Sequence, residues 1–252
     1  LEDHKGNLDG AITLMELAFD KVKNKTSGLY CWALSNLGDM YGHAGRVEDS
    51  YHAYLNVLQK DSGYIYALKG IAWIAFSNDR NTKEAKRIYQ YILSQTDMPD
   101  LYLNLAEIAE WEGDSEKKKE YIGRFIQQVE MPGYGDMYNK YLIHLYTEEI
   151  KDLDKALLLA EKEVAHRATP ETYDWLAWVY FNKGDNQQAN IIANNYVYKR
   201  NFEPDAVLHT ALIFSGAGKK DKAKRLLNEC MESQFEMGPV KTKFVKQELL
   251  VL

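Results

Sequence analysis

The residues of this chain that could carry chemistry are six histidines, two cysteines and a surplus of carboxylates over basic groups. Their spacing does not bring them together. His4, His43, His52, His144, His166 and His209 include no HxxxH or HExxH pair, which would set two imidazoles on one helix face for a metal ion. Cys31 and Cys230 form no Cys-x-x-Cys motif, and neither a phosphate-cradling glycine loop nor a GxSxG elbow occurs. Glu107 and Glu110 lie one helical turn apart, as a general acid–base pair would. At that spacing a solvated helix face is the commoner outcome, and the run Glu116-Lys117-Lys118-Lys119-Glu120 reads the same way. No catalytic residue, cofactor or metal is therefore predicted. What the spacing does assemble is aromatic. Trp175, Trp178 and Phe181 stand at i, i+3 and i+6, and Trp73 and Phe76 echo them. Aromatic clusters of this kind suit binding, since Trp and Tyr dominate interaction hot spots.

The elements that must position these side chains are set by a periodicity. Small residues fall at Gly38, Ala72, Ala106, Ala177 and Ala211, in steps of 34, 34, 71 and 34 residues, and 71 is two periods plus three. Tyr41, Ala75, Ala109, Tyr180 and Phe214 run in phase, as do the turn residues Gly45, Asp79, Gly113, Gly184 and Gly218. Such self-similarity marks one supersecondary unit stacked on itself. Each repeat reads as two helices and a tight turn, because its positions 4, 7, 8 and 11 share one face of a 3.6-residue helix. The small residue at position 8 admits the second helix, and the turn glycine suits the left-handed residue that ends the first. Pro99, Pro170 and Pro204 each open a repeat, where proline is tolerated. The predicted register is 31–64, 65–98, 99–132, 136–169, 170–203 and 204–237, with Gly133-Tyr134-Gly135 inserted. Ala85 and Ala156 fall one place late, so the second and fourth repeats carry a longer inner turn. Ile143 stands where the fourth repeat should have a small residue, which would set its helices wider apart.

Tyr173-x2-Leu176-Ala177-x2-Tyr180, followed by Gly184, Ala189 and Ala193, resembles the tetratricopeptide repeat (TPR). So do Leu34-x2-Leu37-Gly38-x2-Tyr41 with Gly45, Val207-x2-Thr210-Ala211-x2-Phe214 with Gly218, and Tyr102-x2-Leu105-Ala106-x2-Ala109 with Gly113. The resemblance covers almost the whole chain. It implies an all-α, right-handed α-α superhelix: a single solenoid domain over 1–252 of about six helix-turn-helix repeats plus flanking helices. It also implies that positions 2, 5, 6, 9, 12 and 13 line a concave groove. Carried over, these are Trp32, Asn36 and Asp39; then Tyr66, Lys69, Trp73 and Phe76; then Leu103, Asn104, Glu107, Glu110 and Trp111. The later repeats supply Lys140, Tyr141, His144 and Thr147; Asp174, Trp175, Trp178 and Phe181; and His209 and Leu212. All five tryptophans of the chain are among them. Some members of the family clamp acidic chaperone tails, but here Trp73 replaces the required Asn, and Met137 and Tyr141 replace the basic pair. The implied function is a non-enzymatic scaffold or adaptor that binds a peptide or partner helix. Trp175, Trp178 and Phe181 would be the main anchor and Trp73 and Phe76 a second. Asp174, Lys69, Lys140, Asn104, Glu107, Tyr141, His144 and His209 would add polar and aromatic contacts. A small-ligand or glycan receptor and an accessory domain of a larger enzyme or sensor are the alternatives.

The flanks and the composition bound the rest. The chain starts mid-pattern without an initiator Met, so residues 1–25 read as the second helix of an earlier repeat, with the apolar face Ile12, Met15, Phe19 and Val22 unmatched. That marks the chain as a piece of a longer protein, with 26–30 as a linker. Gly238-Pro239 breaks the register, and Val245, Leu249 and Leu252 on helical spacing predict a capping helix over 238–252. Insertion of that helix into the groove, or its pairing with another subunit, is the alternative. A net charge of −6 argues against a nucleic-acid backbone binder, and no run of 18 apolar residues spans a membrane. Cys31 and Cys230 lie in the first and last repeats, too far apart to pair when repeats touch only neighbours. The sequon at Asn24 reads as chance. Compartment, oligomeric state and the identity of the protein or peptide partner stay open.

Overall fold

The computed structural model describes residues 6–252; His4 lies outside them. Among the described residues every regular element is a helix. They run α1 (Leu8–Val22), α2 (Ser27–His43), α3 (Val47–Lys60), α4 (Ile65–Ser77), α5 (Thr82–Gln95), α6 (Asp100–Glu112), α7 (Ser115–Val129), α8 (Asn139–Glu148), α9 (Leu153–His166), α10 (Pro170–Asn182), α11 (Asn186–Ile192), α12 (Pro204–Gly216), α13 (Lys220–Cys230) and α14 (Gln234–Val251). A π-turn, Ala193–Val197, extends α11.

The local reasons are in the residues. Asn7, Asn81, Asp152, Thr169 and Asp185 cap helices by accepting a backbone N–H three residues on. The inner turns close on a left-handed residue. It is glycine at Gly45, Gly113, Gly184 and Gly218, but Arg80 (φ 58°) and Lys151 (φ 62°) in the second and fourth repeats, whose turns are one residue longer. The small residues of the ladder are buried; Ala72, Ala177 and Ala211 are fully so. Gly38 and Gly70 take the ring of Tyr54 between them, and Tyr54 Oη donates to Asp39 Oδ1 at 2.5 Å.

The chain packs as two compact units. The first comprises residues up to Tyr121 together with Ser233–Lys241, the second Ile122–Glu232 together with Thr242–Leu252. A repeat array has no single central core, so such a division costs no packing within either half. In the first unit α1 is not unmatched: Met15 and Phe19 pack on the α2–α3 cluster, and Tyr41 Oη donates to Glu16 at 2.8 Å. A second cluster joins Ala72, Phe76, Tyr89, Leu101 and Leu105. In α14, Gly238 (φ 73°, ψ 174°) interrupts the helix just before Pro239, as the Gly-Pro pair predicts.

Candidate binding site

In the first unit, the face made by α2, α4 and α6 is partly covered by residues 235–238 of the same unit. The ring of Phe235 lies against Gly42, where a side chain would leave it no room. The Phe235 carbonyl accepts two hydrogen bonds, from Trp73 Nε1 at 3.0 Å and from Ser77 Oγ at 2.6 Å. His43 Nδ1 stands 3.7 Å from Glu236 Oε2. Met237 is buried, and a Cβ on Gly238 would come within 2.6 Å of Glu107 Oε1 and 2.8 Å of Trp73. Gly238 stands at the kink of α14. The backbone freedom of Gly238 lets the chain lie on Trp73 and Glu107.

The rest of this face is open: Trp32 and Tyr66 are 53% and 62% exposed. Asn104 is half-buried. Lys69 is tied to Asp100 Oδ2 at 2.5 Å. Phe76 is wholly buried and meets Trp73 edge-on at 5.8 Å, so it serves the core.

The second unit builds a different arrangement on α8, α10 and α12. Trp175 and Trp178 are 4% and 9% exposed, not a free aromatic stripe, because side chains of α8 and α12 close over Trp178. The Trp178 ring stacks on His209 at 4.2 Å and on the half-buried Phe181 at 5.4 Å, and its Nε1 donates to Glu148 Oε1 at 2.8 Å. His209 Nδ1 lies 3.0 Å from Asp174 Oδ2, both groups buried, and Asp174 Oδ1 is buried without a hydrogen-bond partner. His144 Nδ1 lies 3.3 Å from Glu148 Oε1, and its ring stacks on His209 at 5.4 Å. Burial disfavours the His209 imidazolium, but the carboxylates of Asp174, Glu148 and Asp205 outweigh it and hold its pKa above the ordinary histidine value. Lys140 is 3.5 Å from Glu171, and the exposed Tyr141 meets Phe125 edge-on. Glu110 is ion-paired to Lys118 at 3.0 Å, and Cys31 and Cys230 are free and buried.

No protein-family model and no curated protein sequence matches the chain. Among solved structures, a tetratricopeptide repeat protein from Parabacteroides merdae superposes with a TM-score of 0.53 at 15% identity, over 98% of this chain and 93% of that one. The chain has the TPR fold. A chain of the APC/C hetero-tetramer Cut9-Hcn1 is similar at TM-score 0.53 and 15% identity, over 99% of this chain and 49% of that one. Human IFIT1, solved as a dimer with PPP-AAAA, is similar at 0.51 and 17%, over 91% and 58%. The chain thus spans about half the length of these last two.

Set on the TPR positions, Gly42, His43, Trp73, Ser77 and Glu107 occupy places 12, 13, 9, 13 and 9 of the first three repeats. They belong to the set expected to meet a ligand, and they meet residues 235–238. Sequence reasoning named Trp73 and Glu107 but passed over Ser77 and Glu148, both at position 13, which the same pattern would have found. Phe235 carries no signal in the repeat pattern.

Proposed function

We propose that this chain is a protein-interaction module. The face of its first unit holds a short helical turn, and residues 235–238 at the start of α14 occupy that place in cis. The observation that carries the reading is the Phe235 carbonyl held by both Trp73 Nε1 and Ser77 Oγ. Two side-chain donors on one backbone carbonyl, beside the close approach at Gly42, suit a helical turn that offers an aromatic residue and a carbonyl left free by a following proline. Such a site supplies main-chain affinity and side-chain specificity together. The exposed Trp32 and Tyr66 add aromatic surface on the same helices. The net charge of −6 favours a protein partner over a nucleic-acid backbone. Burial of Trp175 and Trp178 leaves no open tryptophan stripe on α10 for a flat ligand to stack on.

The test is a trans-binding assay on the whole chain. A fluorescent peptide of residues 232–241 is titrated into wild type, into Phe235→Ala, and into Phe235→Ala carrying Trp73→Phe and Ser77→Ala. The tethered segment competes at an effective concentration on the order of 1 mM. The wild type should therefore bind the peptide at least tenfold more weakly than Phe235→Ala, and the triple variant should lose binding while keeping its circular dichroism spectrum. No binding by Phe235→Ala, or equal binding by the triple variant, would refute the reading.

A further inference from the structure

The second unit brings together His144 and Glu148, one turn apart on α8, and His209 on α12. We propose that these three side chains bind a divalent transition-metal ion, with Zn2+ the best fit, and that Asp174 and Trp178 are its positioning residues. The site is independent of the peptide reading of the first unit.

The ligand chemistry is two imidazoles and one carboxylate, a set that holds Zn2+ with a fourth position left for water. One ligand atom from each residue lies within 4.8 Å of the others. Zinc bonds to nitrogen and oxygen of about 2.0–2.1 Å in a tetrahedron put neighbouring ligand atoms roughly 3.3–3.4 Å apart. His144 Nδ1 already stands 3.3 Å from Glu148 Oε1, and His209 Nε2 stands 4.0 Å from the same oxygen. Glu148, the most exposed of the three at 39%, is the ligand with most freedom to close on the two imidazoles.

The surroundings fit a metal ligand. His209 donates its Nδ1–H to Asp174, which fixes the tautomer and turns the Nε2 lone pair towards Glu148. Trp178 holds the Glu148 carboxylate by its indole N–H and the His209 ring by stacking. Buried Asp174, with Oδ1 unpartnered, leaves negative charge that a cation on His209 offsets. The competing cluster Asp136, Glu163 and His166 is already neutralised: Lys162 pairs with Asp136 at 2.6 Å, and Arg167 pairs with Glu163 at 3.1 Å. A bound ion would tie α8 to α12 across α10 and release whatever protons the two imidazoles carry.

The experiment is calorimetric titration of the full chain with Zn2+ in a non-chelating buffer, with Co2+ substitution read by its visible d–d bands. The expected result is one ion per chain and Co2+ bands of four-coordinate intensity. His144→Ala, at the partly exposed ligand, should weaken Zn2+ binding at least 100-fold. Asp174→Asn, which keeps the shape but loses the charge, should weaken it by about 10–100-fold. His166→Ala should leave it unchanged. Circular dichroism establishes that each variant is folded. A proton in place of the ion would give no Zn2+ binding at all and would overturn the proposal. So would binding that survives His144→Ala, or binding lost with His166→Ala.

Discussion

Gly42→Ala is the smallest change that separates the covered face of the first unit from the rest of the fold. The added Cβ would meet the Phe235 ring head-on, with Cε1 nearest and Cζ and Cδ1 at 3.1 and 3.2 Å. Carbon pairs are comfortable only at about 3.5–4.0 Å, so the ring must retreat or leave. Overpacking of this kind costs about 1–3 kcal/mol. Leaving forfeits part of the roughly 1.5–3 kcal/mol that burying a Phe contributes, since Phe235 is only partly buried. Against this, alanine gains up to about 0.5–1 kcal/mol over glycine inside a helix, and less here, one residue from the end of α2. The net expectation is a loss of about 1 kcal/mol, concentrated in residues 234–238. The assay is amide hydrogen exchange resolved by peptide, with urea midpoints alongside. Exchange over 234–238 should accelerate about tenfold or more while α4 and α5 keep their protection. In a Phe235→Ala background the same substitution should be neutral or stabilising, a coupling of about 1–2 kcal/mol in the double-mutant cycle. Equal destabilisation in both backgrounds, or unchanged exchange over 234–238, would refute the placement of Phe235 on Gly42.

Three further outcomes are expected. Gly70→Ala drives a Cβ into the buried ring of Tyr54, Cζ nearest and Cε1 at 2.7 Å, and should lower the urea midpoint by about 1–3 kcal/mol equivalent; Gly123→Ala, with nothing within 4 Å, should raise it by up to about 1. Cys230 should resist maleimide in the native protein at mildly alkaline pH and react at once in denaturant, because burial, with Glu229 and Asp205 adding to it, pushes the thiol pKa up to about 12; rapid native labelling of Cys230 would contradict its burial. Asp39 as a residue is exposed, but desolvation of its carboxyl raises it above its ordinary 3.8, against the Tyr54 hydrogen bond and the charges of His43 and Lys69. The folded state then holds that proton more tightly than the unfolded chain, so this group adds stability as pH falls through its folded pKa towards 3.8 and takes it away as pH rises. Urea midpoints of wild type and Asp39→Asn should therefore converge on acidification, and parallel profiles would sink the assignment.

The helix-pair architecture was legible because the ladder records a packing constraint at fixed chain separation. A second helix can approach α2, α4 or α6 only over a small residue, and the inner turn can close only through a left-handed one. Where the spacing shifted by one residue, at Ala85 and Ala156, the turn shifted too, onto Arg80 and Lys151. The binding face was legible as a set of positions but not as a set of roles. Positions 9 and 12 hold Trp73 and Phe76 in one repeat and Trp178 and Phe181 in another. Trp73 spends its indole N–H on a peptide carbonyl, Phe76 is buried in the core, and Trp178 spends its N–H on Glu148. What decides between them is the group that meets each indole, a side chain 30 residues away for Trp178 and a backbone carbonyl 162 residues away for Trp73, and a pattern of local spacing holds no information at that distance. The histidines show the same limit from the other side. No two of them share a metal-binding spacing on one helix, yet α8 and α12 carry His144 and His209 to a 5.4 Å stack, because a 34-residue repeat returns the same face of each first helix to the same side. In such a chain, pairs that matter chemically are to be sought among positions that share a face across repeats and only then along a single helix.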